Sequence, residues 1–327
     1  MGKFLFLSFQ ELETIGVKTA ELVDVLEEVF HEIARGGVII AKKVSLRMPD
    51  RAGAFINSMP AYLKYRGVAG IKWVAGFPEA VKHGQPYITG TIILNDCSTG
   101  QPLCIMDGTL ITRVRTAAVS ILGAKYLRCK GASVVGLIGC GQLGRAHLEA
   151  AIDYLPIKTA FCFDIMANLA QSIVDDLQGK NGVEITACPS WQEVLEKSDV
   201  VFTCTVPQKP FLAYKHVKPG SAIVSIEGRQ VWFAEDYLKF DKLCVDEWES
   251  LKEGTHVKEL VNTGLLTEEN IYADLGELVT HKKQGRESEQ ETILLLTRGL
   301  GAADVAIANL YYERALQMGI GEQLTMF

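Results

Sequence analysis

The glycine pattern that follows a short apolar run constrains the fold of this chain more than any other feature. Residues 133–138 form a β-branched and apolar run, which leads into Gly139-Cys-Gly141-Gln-Leu-Gly144 and then into residues that suit a helix. In such a unit the first glycine permits a tight turn, the second lets the backbone approach a phosphate, and the third lets helix and strand pack closely. The free N–H groups at the start of the helix favour an anion there. The pattern therefore predicts a dinucleotide-binding fold.

An acidic residue at the end of the next predicted strand indicates which dinucleotide is bound. The run 159–163 ends at Asp164, twenty residues after the third glycine, and no Arg follows it immediately. A carboxylate there accepts hydrogen bonds from ribose hydroxyls and repels a 2′-phosphate, so we expect NAD rather than NADP. The residues assigned to cofactor binding are Gly139, Gly141, Gln142, Leu143, Gly144, Asp164, Thr205 and Thr112.

Apolar runs and helical segments alternate beyond residue 131, which is typical of parallel strands covered on both faces by helices. The predicted strands are 133–138, 159–163, 183–187, 199–205, 221–226, 242–246 and 292–296. The sequence therefore predicts an α/β protein with a Rossmann-type doubly wound parallel sheet.

The first third of the chain has a different pattern. Apolar positions at helical spacing predict a helix over 11–35 that ends at Gly36-Gly37, and the pattern from Val38 to Met106 is strand-like. A further helix is predicted over 110–128. The length of 327 residues favours two domains. We place an α+β domain at 1–117 and the dinucleotide-binding domain at 118–302.

Composition excludes several classes of function. The net charge of −6 argues against a general nucleic-acid surface, because phosphate contacts need clustered Lys and Arg. No apolar run reaches the roughly 18 residues of a membrane span, and the N-terminus reads as a strand rather than a signal peptide. The eight cysteines are scattered without a Cys-x-x-Cys motif, so reduced thiols in a cytoplasmic protein are expected. The isolated histidines predict no metal site.

Three cations of the first domain are candidates for binding a substrate carboxylate. Lys72 lies in the apolar run Gly70-Ile-Lys-Trp-Val, Arg115 lies at the start of a small-residue helix, and Arg47 lies in Val44-Ser-Leu-Arg-Met-Pro. Guanidinium groups bind carboxylates bidentately, and an amino acid always presents an α-carboxylate. Taken singly, such cations are more often surface or ion-pair residues. Lys72 differs most from that expectation, and a desolvated Lys72 would have a lowered pKa suited to acid–base chemistry.

Several motifs along the chain resemble, in the same order, those of the ornithine cyclodeaminase/mu-crystallin family. The resemblance extends over nearly the whole length, and its Asp-Gly-Thr…Arg-Thr-Ala-Ala motif is quite specific. The matching segments are Met59-Pro-Ala-Tyr, Gly70-Ile-Lys-Trp-Val, Asp107-Gly-Thr-Leu-Ile-Thr-Arg-Val-Arg-Thr-Ala-Ala, Gly139-Cys-Gly-Gln-Leu-Gly and Gly299-Leu-Gly-Ala-Ala-Asp304.

This resemblance implies the role of each domain. The family has a Rossmann domain inserted in a substrate-binding and dimerisation domain, to which the C-terminal helix, here 303–327, returns. Its members use nicotinamide cofactors on amino or imino acids. By motif position, Arg47, Lys72 and Arg115 match the family's carboxylate- and substrate-binding cations. A homodimer acting on a small amino or imino acid is therefore expected.

One departure from the family pattern keeps three functions open. Where many members have Ala-Ile-Gly-x-Asp, with an Asp thought to handle the substrate amine, this chain reads Ser225-Ile-Glu-Gly-Arg229. Glu227 could substitute as the acid–base group, or it could simply pair with Arg229. We interpret the chain as an NAD-dependent amino-acid, ketimine or opine-type dehydrogenase. The alternatives are an ornithine cyclodeaminase forming proline and ammonia, and a non-catalytic NAD(P)H-binding protein of the mu-crystallin kind.

Overall fold

The computed structural model describes residues 2–226, 228–254 and 257–326, and the chain divides into two compact units. Unit 1 comprises Met1–Arg115 and Leu300–Phe327, and unit 2 comprises Thr116–Gly299. In the part of the chain that the structure describes, no helix is long and apolar enough to cross a membrane.

Unit 1 is built on a mainly antiparallel sheet. Its elements are β1 (Lys3–Leu7), α1 (Phe9–Ile15), α2 (Thr19–Ala34), β2 (Val38–Ile40), β3 (Val44–Arg47), β4 (Phe55–Leu63), β5 (Val68–Gly76), β6 (Ile88–Asp96), β7 (Pro102–Asp107), the start of α3 (Gly108–Leu127), α10 (Gly301–Met318) and β16 (Glu322–Thr325). The strand order is β16-β1-β7-β6-β5-β4-β2, with β3 also paired to β4. Only β1 and β7 run parallel among these described pairs.

Helix α10 covers one face of this sheet and packs on β4, β5 and β6. A Cβ at Gly301 would lie 2.7 Å from the carbonyl oxygen of Met59, so a glycine is needed for this close approach. Met59 pairs with Lys72 in the β4–β5 register. The first turn of α10 is therefore held against the part of the sheet that carries Lys72. The neighbouring Trp73 points to the opposite face and is 47% exposed.

Two predicted helices of unit 1 have different bounds in the structure. The helix expected over 11–35 is two helices, because Gly16 has a φ of 58° and its N–H bonds to the Leu12 carbonyl, which ends α1. The C-terminal helix expected over 303–327 ends at Met318, where Gly319 has a φ of 67°. Residues beyond it form β16, which pairs antiparallel with β1.

Unit 2 is a wholly parallel sheet flanked by helices, as its apolar runs predict. Its elements are β8 (Val134–Ile138), α4 (Gln142–Tyr154), β9 (Thr159–Phe163), α5 (Ala167–Leu177), β10 (Glu184–Ala187), α6 (Trp191–Lys197), β11 (Val200–Thr203), β12 (Ala222–Ile226), β13 (Lys242–Val245), α7 (Trp248–Leu251), α8 (Lys258–Asn262), β14 (Ala273–Asp274), α9 (Leu275–Val279) and β15 (Ile293–Thr297). All seven predicted strands are present, to within two residues at each end. The predicted Rossmann-type α/β class is confirmed.

The order of these strands places the dinucleotide loop at a topological switch point. The sheet runs β10-β9-β8-β11-β12-β15-β13-β14, so the chain leaves β8 towards one edge and continues from β11 towards the other. Ligands of doubly wound sheets bind beyond the carboxyl ends of the strands at such a point. Gly139 follows β8 directly, so the loop lies at this position.

Candidate active site

The three glycines after β8 have the distinct properties that their pattern predicts. Gly139 has a φ of 98°, and a Cβ there would lie 2.5 Å from the Cys204 carbonyl oxygen. At Gly144 a Cβ would lie 1.9 Å from the carbonyl oxygen of Gly139. A Cβ at Gly141 would meet none of the described atoms within 4 Å. Two glycines are therefore required by packing, and the third leaves open space at the start of α4.

The start of α4 has the features of a phosphate-binding site. Gly141 is its N-cap, no described side chain caps it, and its first turn carries no acidic residue. The first N–H groups of a helix have no partner within it, so they can bind the oxygens of an anion. Gln142 is exposed and Leu143 is half-buried. This open, uncapped helix start suits a dinucleotide pyrophosphate.

The carboxylate of Asp164 anchors the glycine loop. Its Oδ2 accepts the Cys140 N–H at 2.7 Å, and its Oδ1 accepts the Met166 N–H at 2.9 Å. Each carboxylate oxygen has a second lone pair, so both can still accept a hydroxyl. Ile165, the next residue, is 93% exposed. The end of β9 thus offers hydrogen-bond acceptors beside an exposed apolar side chain, which suits a ribose with an attached base.

The remaining residues assigned to the cofactor have different environments. The Thr205 nitrogen would lie 3.2 Å from a Cβ at Gly139, so Thr205 borders the loop. Thr112 is half-buried on the part of α3 that belongs to unit 1. Cys140 is buried, and its hydrogen bond with Cys162 and its burial raise the pKa of its thiol. A neutral buried thiol behaves as a small apolar side chain.

Unit 1 contains a buried cluster of three charged side chains. Lys72 Nζ donates to Asp304 Oδ1 at 2.6 Å, and Arg115 Nε donates to the same oxygen at 2.7 Å. Lys72, Arg115 and Asp304 are 1%, 6% and 0% exposed. With Lys72 protonated, two cations face one carboxylate, so the cluster carries a net positive charge. A buried positive charge favours an anionic ligand.

Burial gives Lys72 a pKa suited to proton transfer near neutrality. Desolvation, followed by the charge of Arg115, lowers its pKa from 10.5 to about 7, although Asp304 opposes the shift. The charge of Lys43 also lowers it. An amine with such a pKa exists in both protonation states near neutral pH and can act as a general acid or base. The acid–base role of Lys72 stays a prediction.

The other sequence-based candidates do not join this cluster. Arg47 lies on β3, whose residues are all exposed, and within the described ranges it forms no hydrogen bond or ion pair. Its register partner Phe55 lies on the sheet face that carries Lys72, so Arg47 shares that face. Arg229 is exposed beyond β12, without an ion pair to any residue that the structure describes. Glu227 lies outside the described residues.

Asp304 is the residue of this cluster that the sequence-based assignment missed. The assignment used only the motif that contains it, and its partner Lys72 is 232 residues away in the chain. A signal was present, because Asp304 is the only charged residue in Gly-Ala-Ala-Asp-Val-Ala-Ile-Ala. A lone acid in a run that is otherwise apolar must be paired when the run is buried.

The chain is similar over almost its whole length to proteins of one known family. The family model "Ornithine cyclodeaminase/mu-crystallin family" matches residues 5–319. N-((2S)-2-amino-2-carboxyethyl)-L-glutamate dehydrogenase of Staphylococcus aureus is 31% identical over 334 residues, which is 99% of each chain. Thermococcus litoralis Δ1-pyrroline-2-carboxylate reductase, solved with NADH and L-proline, has a TM-score of 0.93 and 31% identity over 98% of this chain and 99% of that one.

A second similar structure is an archaeal alanine dehydrogenase dimer with bound NAD. Its TM-score is 0.92 and its identity 32%, over 99% of this chain and 100% of that one. Since the family model spans almost the entire sequence and the order of the motifs is the same, the chain belongs to the ornithine cyclodeaminase/mu-crystallin family.

Proposed function

We propose that this protein is an NAD-dependent oxidoreductase that acts at the C–N bond of an α-amino or α-imino acid. The observation that carries the proposal is the buried cluster in which Lys72, with a pKa of about 7, shares Asp304 with Arg115. Such a cluster can bind a carboxylate and supply a proton at neutral pH. The similar proteins named above act on alanine, on a pyrroline carboxylate and on an N-substituted glutamate, all of them α-amino or α-imino acids.

The cofactor site of unit 2 fits NAD. The pyrophosphate occupies the open space at Gly141, and the Asp164 carboxylate accepts hydrogen bonds from the ribose hydroxyls. Thr205 borders the loop. When bound, NAD supplies or accepts the hydride. We assign NAD rather than NADP, because a 2′-phosphate would approach the Asp164 carboxylate. Thr112 remains a sequence-based proposal for cofactor contact.

The residues of unit 1 bind the substrate and manage its charge. The Nε of Arg115 donates a hydrogen bond to Asp304, and the two terminal nitrogens of Arg115 have no partner among the described residues. This planar pair of donors matches a carboxylate. Arg47, on the same sheet face, is proposed to contact the carboxylate as well. Lys72 polarises or protonates the nitrogen during reduction and accepts the proton in the reverse direction.

We further propose a cytoplasmic homodimer in which unit 1 binds substrate and forms the dimer while unit 2 binds NAD. The face of the unit 1 sheet opposite α10 supports this, because it presents exposed apolar side chains on β3 and β5, the two strands that flank β4. Val44, Ser58 and Trp73 occupy successive register positions on that face. Val44 and Trp73 are exposed large hydrophobic residues in the single chain. Exposed apolar groups close together on one face are characteristic of protein interfaces.

The test is NADH absorbance of the purified protein with a panel of amino acids, and in reverse with keto acids plus amines. L-alanine, L-proline and L-ornithine begin the panel, with pyruvate plus ammonia for the reverse direction. A substrate-dependent change in NADH is expected. Ammonia release from L-ornithine with no net NADH change would indicate a cyclodeaminase instead. NADH binding with no turnover anywhere on the panel would favour a binding protein.

Lys72→Met tests the assigned acid–base residue. We expect turnover to fall at least about 100-fold, because general acid–base catalysis typically contributes 10²–10⁴-fold. NADH affinity should be unchanged. Lys82→Met is the matched control, since Lys82 is an exposed lysine of unit 1 paired with Glu79. Wild-type turnover in Lys72→Met would exclude Lys72 from the mechanism.

A further inference from the structure

Asp304 presents only one of its two carboxylate oxygens to its partners. Lys72 and Arg115 both donate to Oδ1. Oδ2 is buried and has no hydrogen-bond partner among the described residues, and it is the only carboxylate oxygen there in that condition. An unsatisfied buried polar atom is destabilising, and more so when it is charged. The arrangement therefore calls for a donor that the described side chains do not supply.

A buried carboxylate with a purely structural role looks different in this protein. Asp246 is equally buried, and it uses both oxygens: Oδ1 accepts the Glu247 N–H, and Oδ2 accepts the N–H groups of Arg298 and Gly299. All three donors belong to the backbone of unit 2. The free Oδ2 of Asp304 is thus not a general feature of buried acids in this fold.

The position of Arg115 indicates where the missing donor comes from. Its Nε is bound to Asp304, and its terminal nitrogens are available to a ligand carboxylate. In an α-amino or α-imino acid, the nitrogen is attached to the carbon that carries that carboxylate. A substrate held on Arg115 therefore has its N–H close to the carboxylate that Arg115 already contacts. Asn57 is consistent with this, because its buried Oδ1 also lacks a partner among the described atoms.

Asn57 lies on the same sheet face as Lys72. It is paired with Val74, two residues along β5 from Lys72, so the two side chains are diagonal neighbours. The face next to the charged cluster thus contains two acceptor atoms that lack donors. An ammonium or primary iminium nitrogen has enough N–H donors for both, and a nitrogen with a single N–H can donate to one of them, whereas an ether or carbonyl oxygen at that place supplies no donor.

We infer that Asp304 Oδ2 accepts a hydrogen bond from the reacting nitrogen of the substrate. This inference rests on the proposed function and makes Asp304 a catalytic residue that selects a nitrogen substituent at the α carbon. Arg229, a cation, cannot accept such a hydrogen bond. One oxygen of Asp304 accepts a hydrogen bond from the substrate nitrogen and the other accepts from Lys72, so the proton donor and the atom to be protonated share one carboxylate.

The test compares two planar ligands that differ at one atom. Pyrrole-2-carboxylate has an N–H next to its carboxylate, and furan-2-carboxylate has an oxygen at the same place. Affinities are measured by isothermal titration calorimetry with the NADH-loaded protein at pH 7.5. A hydrogen bond to a charged group predicts that the wild type binds the pyrrole at least about 10-fold more tightly. Equal binding of the two ligands would overturn the inference, whether or not any variant folds.

Asp304→Asn assigns the preference to this residue. The amide keeps one oxygen for Lys72 and Arg115 and places an NH₂ group where Oδ2 was, so the preference for the pyrrole should fall to about 2-fold or less. Asp199→Asn is the control, because Asp199 is a partly buried carboxylate of unit 2 that pairs with Lys218. It should retain the wild-type preference. NADH affinity and thermal unfolding verify that each variant is folded.

The outcomes separate this inference from the proposed function. Turnover of an amino acid together with no preference for the pyrrole leaves the oxidoreductase intact and overturns the assignment of Asp304. An unchanged preference in folded Asp304→Asn does the same. Binding of neither ligand, with no turnover on the amino-acid panel, refutes both.

Discussion

Replacing Lys72 by methionine should flatten the dependence of stability on pH. Burial and the charge of Arg115 lower the pKa of Lys72 from 10.5 to about 7 in the native state. Between those two values the unfolded chain holds the proton and the native protein does not. Stability therefore rises with pH across this window. Below about pH 7 both states are protonated and the full cost of the buried ammonium is present, and it is relieved as pH rises towards 10.5.

The size of this effect follows from the shift. One proton of difference changes the free energy of unfolding by about 1.4 kcal/mol per pH unit. With half of Lys72 deprotonated near pH 7, the wild type should gain about 2 kcal/mol relative to Lys72→Met between pH 7 and 9. The methionine has no such titration, and its apolar chain fills most of the same space. Taking the difference between the two proteins removes the titration of every other group.

Urea unfolding followed by circular dichroism at pH 7, 8 and 9 measures this difference. The wild type should gain stability relative to Lys72→Met as pH rises, whereas the difference between wild type and the exposed-lysine control Lys82→Met should stay constant. If the curves of wild type and Lys72→Met were parallel instead, the native pKa of Lys72 would not be lowered. The basis for its role as an acid near neutral pH would then be lost.

Two further changes test the cofactor site. Gly144→Ala should unfold unit 2 or destabilise it by roughly 3 kcal/mol, because the new Cβ would lie 1.9 Å from the Gly139 carbonyl oxygen, whereas Gly141→Ala, in open space, should keep stability within about 0.5 kcal/mol and weaken NADH binding about 10-fold. Thermal unfolding and NADH fluorescence titration check both variants, and wild-type NADH affinity in Gly141→Ala would refute the phosphate assignment. Asp164→Ser should raise the ratio of kcat/KM for NADPH over NADH at least about 10-fold, because it removes the charge that repels a 2′-phosphate; steady-state kinetics with both cofactors check this, and an unchanged ratio would contradict it.

The fold of unit 2 was predictable because its strands are parallel and covered on both faces. Such strands are nearly continuous apolar runs, and helices separate them in the chain. The run from Ile293 to Thr297 is fully buried, for example, and its sequence shows no alternation. Strand β16 could not be recognised in this way. Its residues Glu322–Thr325 lie at the sheet edge and are mostly exposed, so they carry no apolar pattern.

The charged cluster was predictable in part, for a related reason. Lys72 is conspicuous because its sequence neighbours are apolar, and Arg115 because it begins a small-residue helix. Their common partner depends on contacts between distant segments: Asp304 is 232 residues from Lys72 and 189 from Arg115. The exposure of Arg47 also depends on tertiary structure, since β3 pairs only with β4 in the described sheet. Sequence patterns report local periodicity and do not report such pairings.

The strand order has a consequence for how this chain is synthesised. Strand β15 lies between β12 and β13, and β16 pairs with β1, so each sheet takes a strand from the last 35 residues. When residues 1–290 have been translated, neither sheet is therefore complete, because β15 and β16 have not yet been made. The partly made sheets expose the backbone edges that β15 and β16 later occupy, and unpaired edges invite pairing with other chains. Unit 2 cannot close before residue 297 is translated and unit 1 cannot close before residue 325, so both sheets stay exposed to aggregation until β15 and β16 have been made.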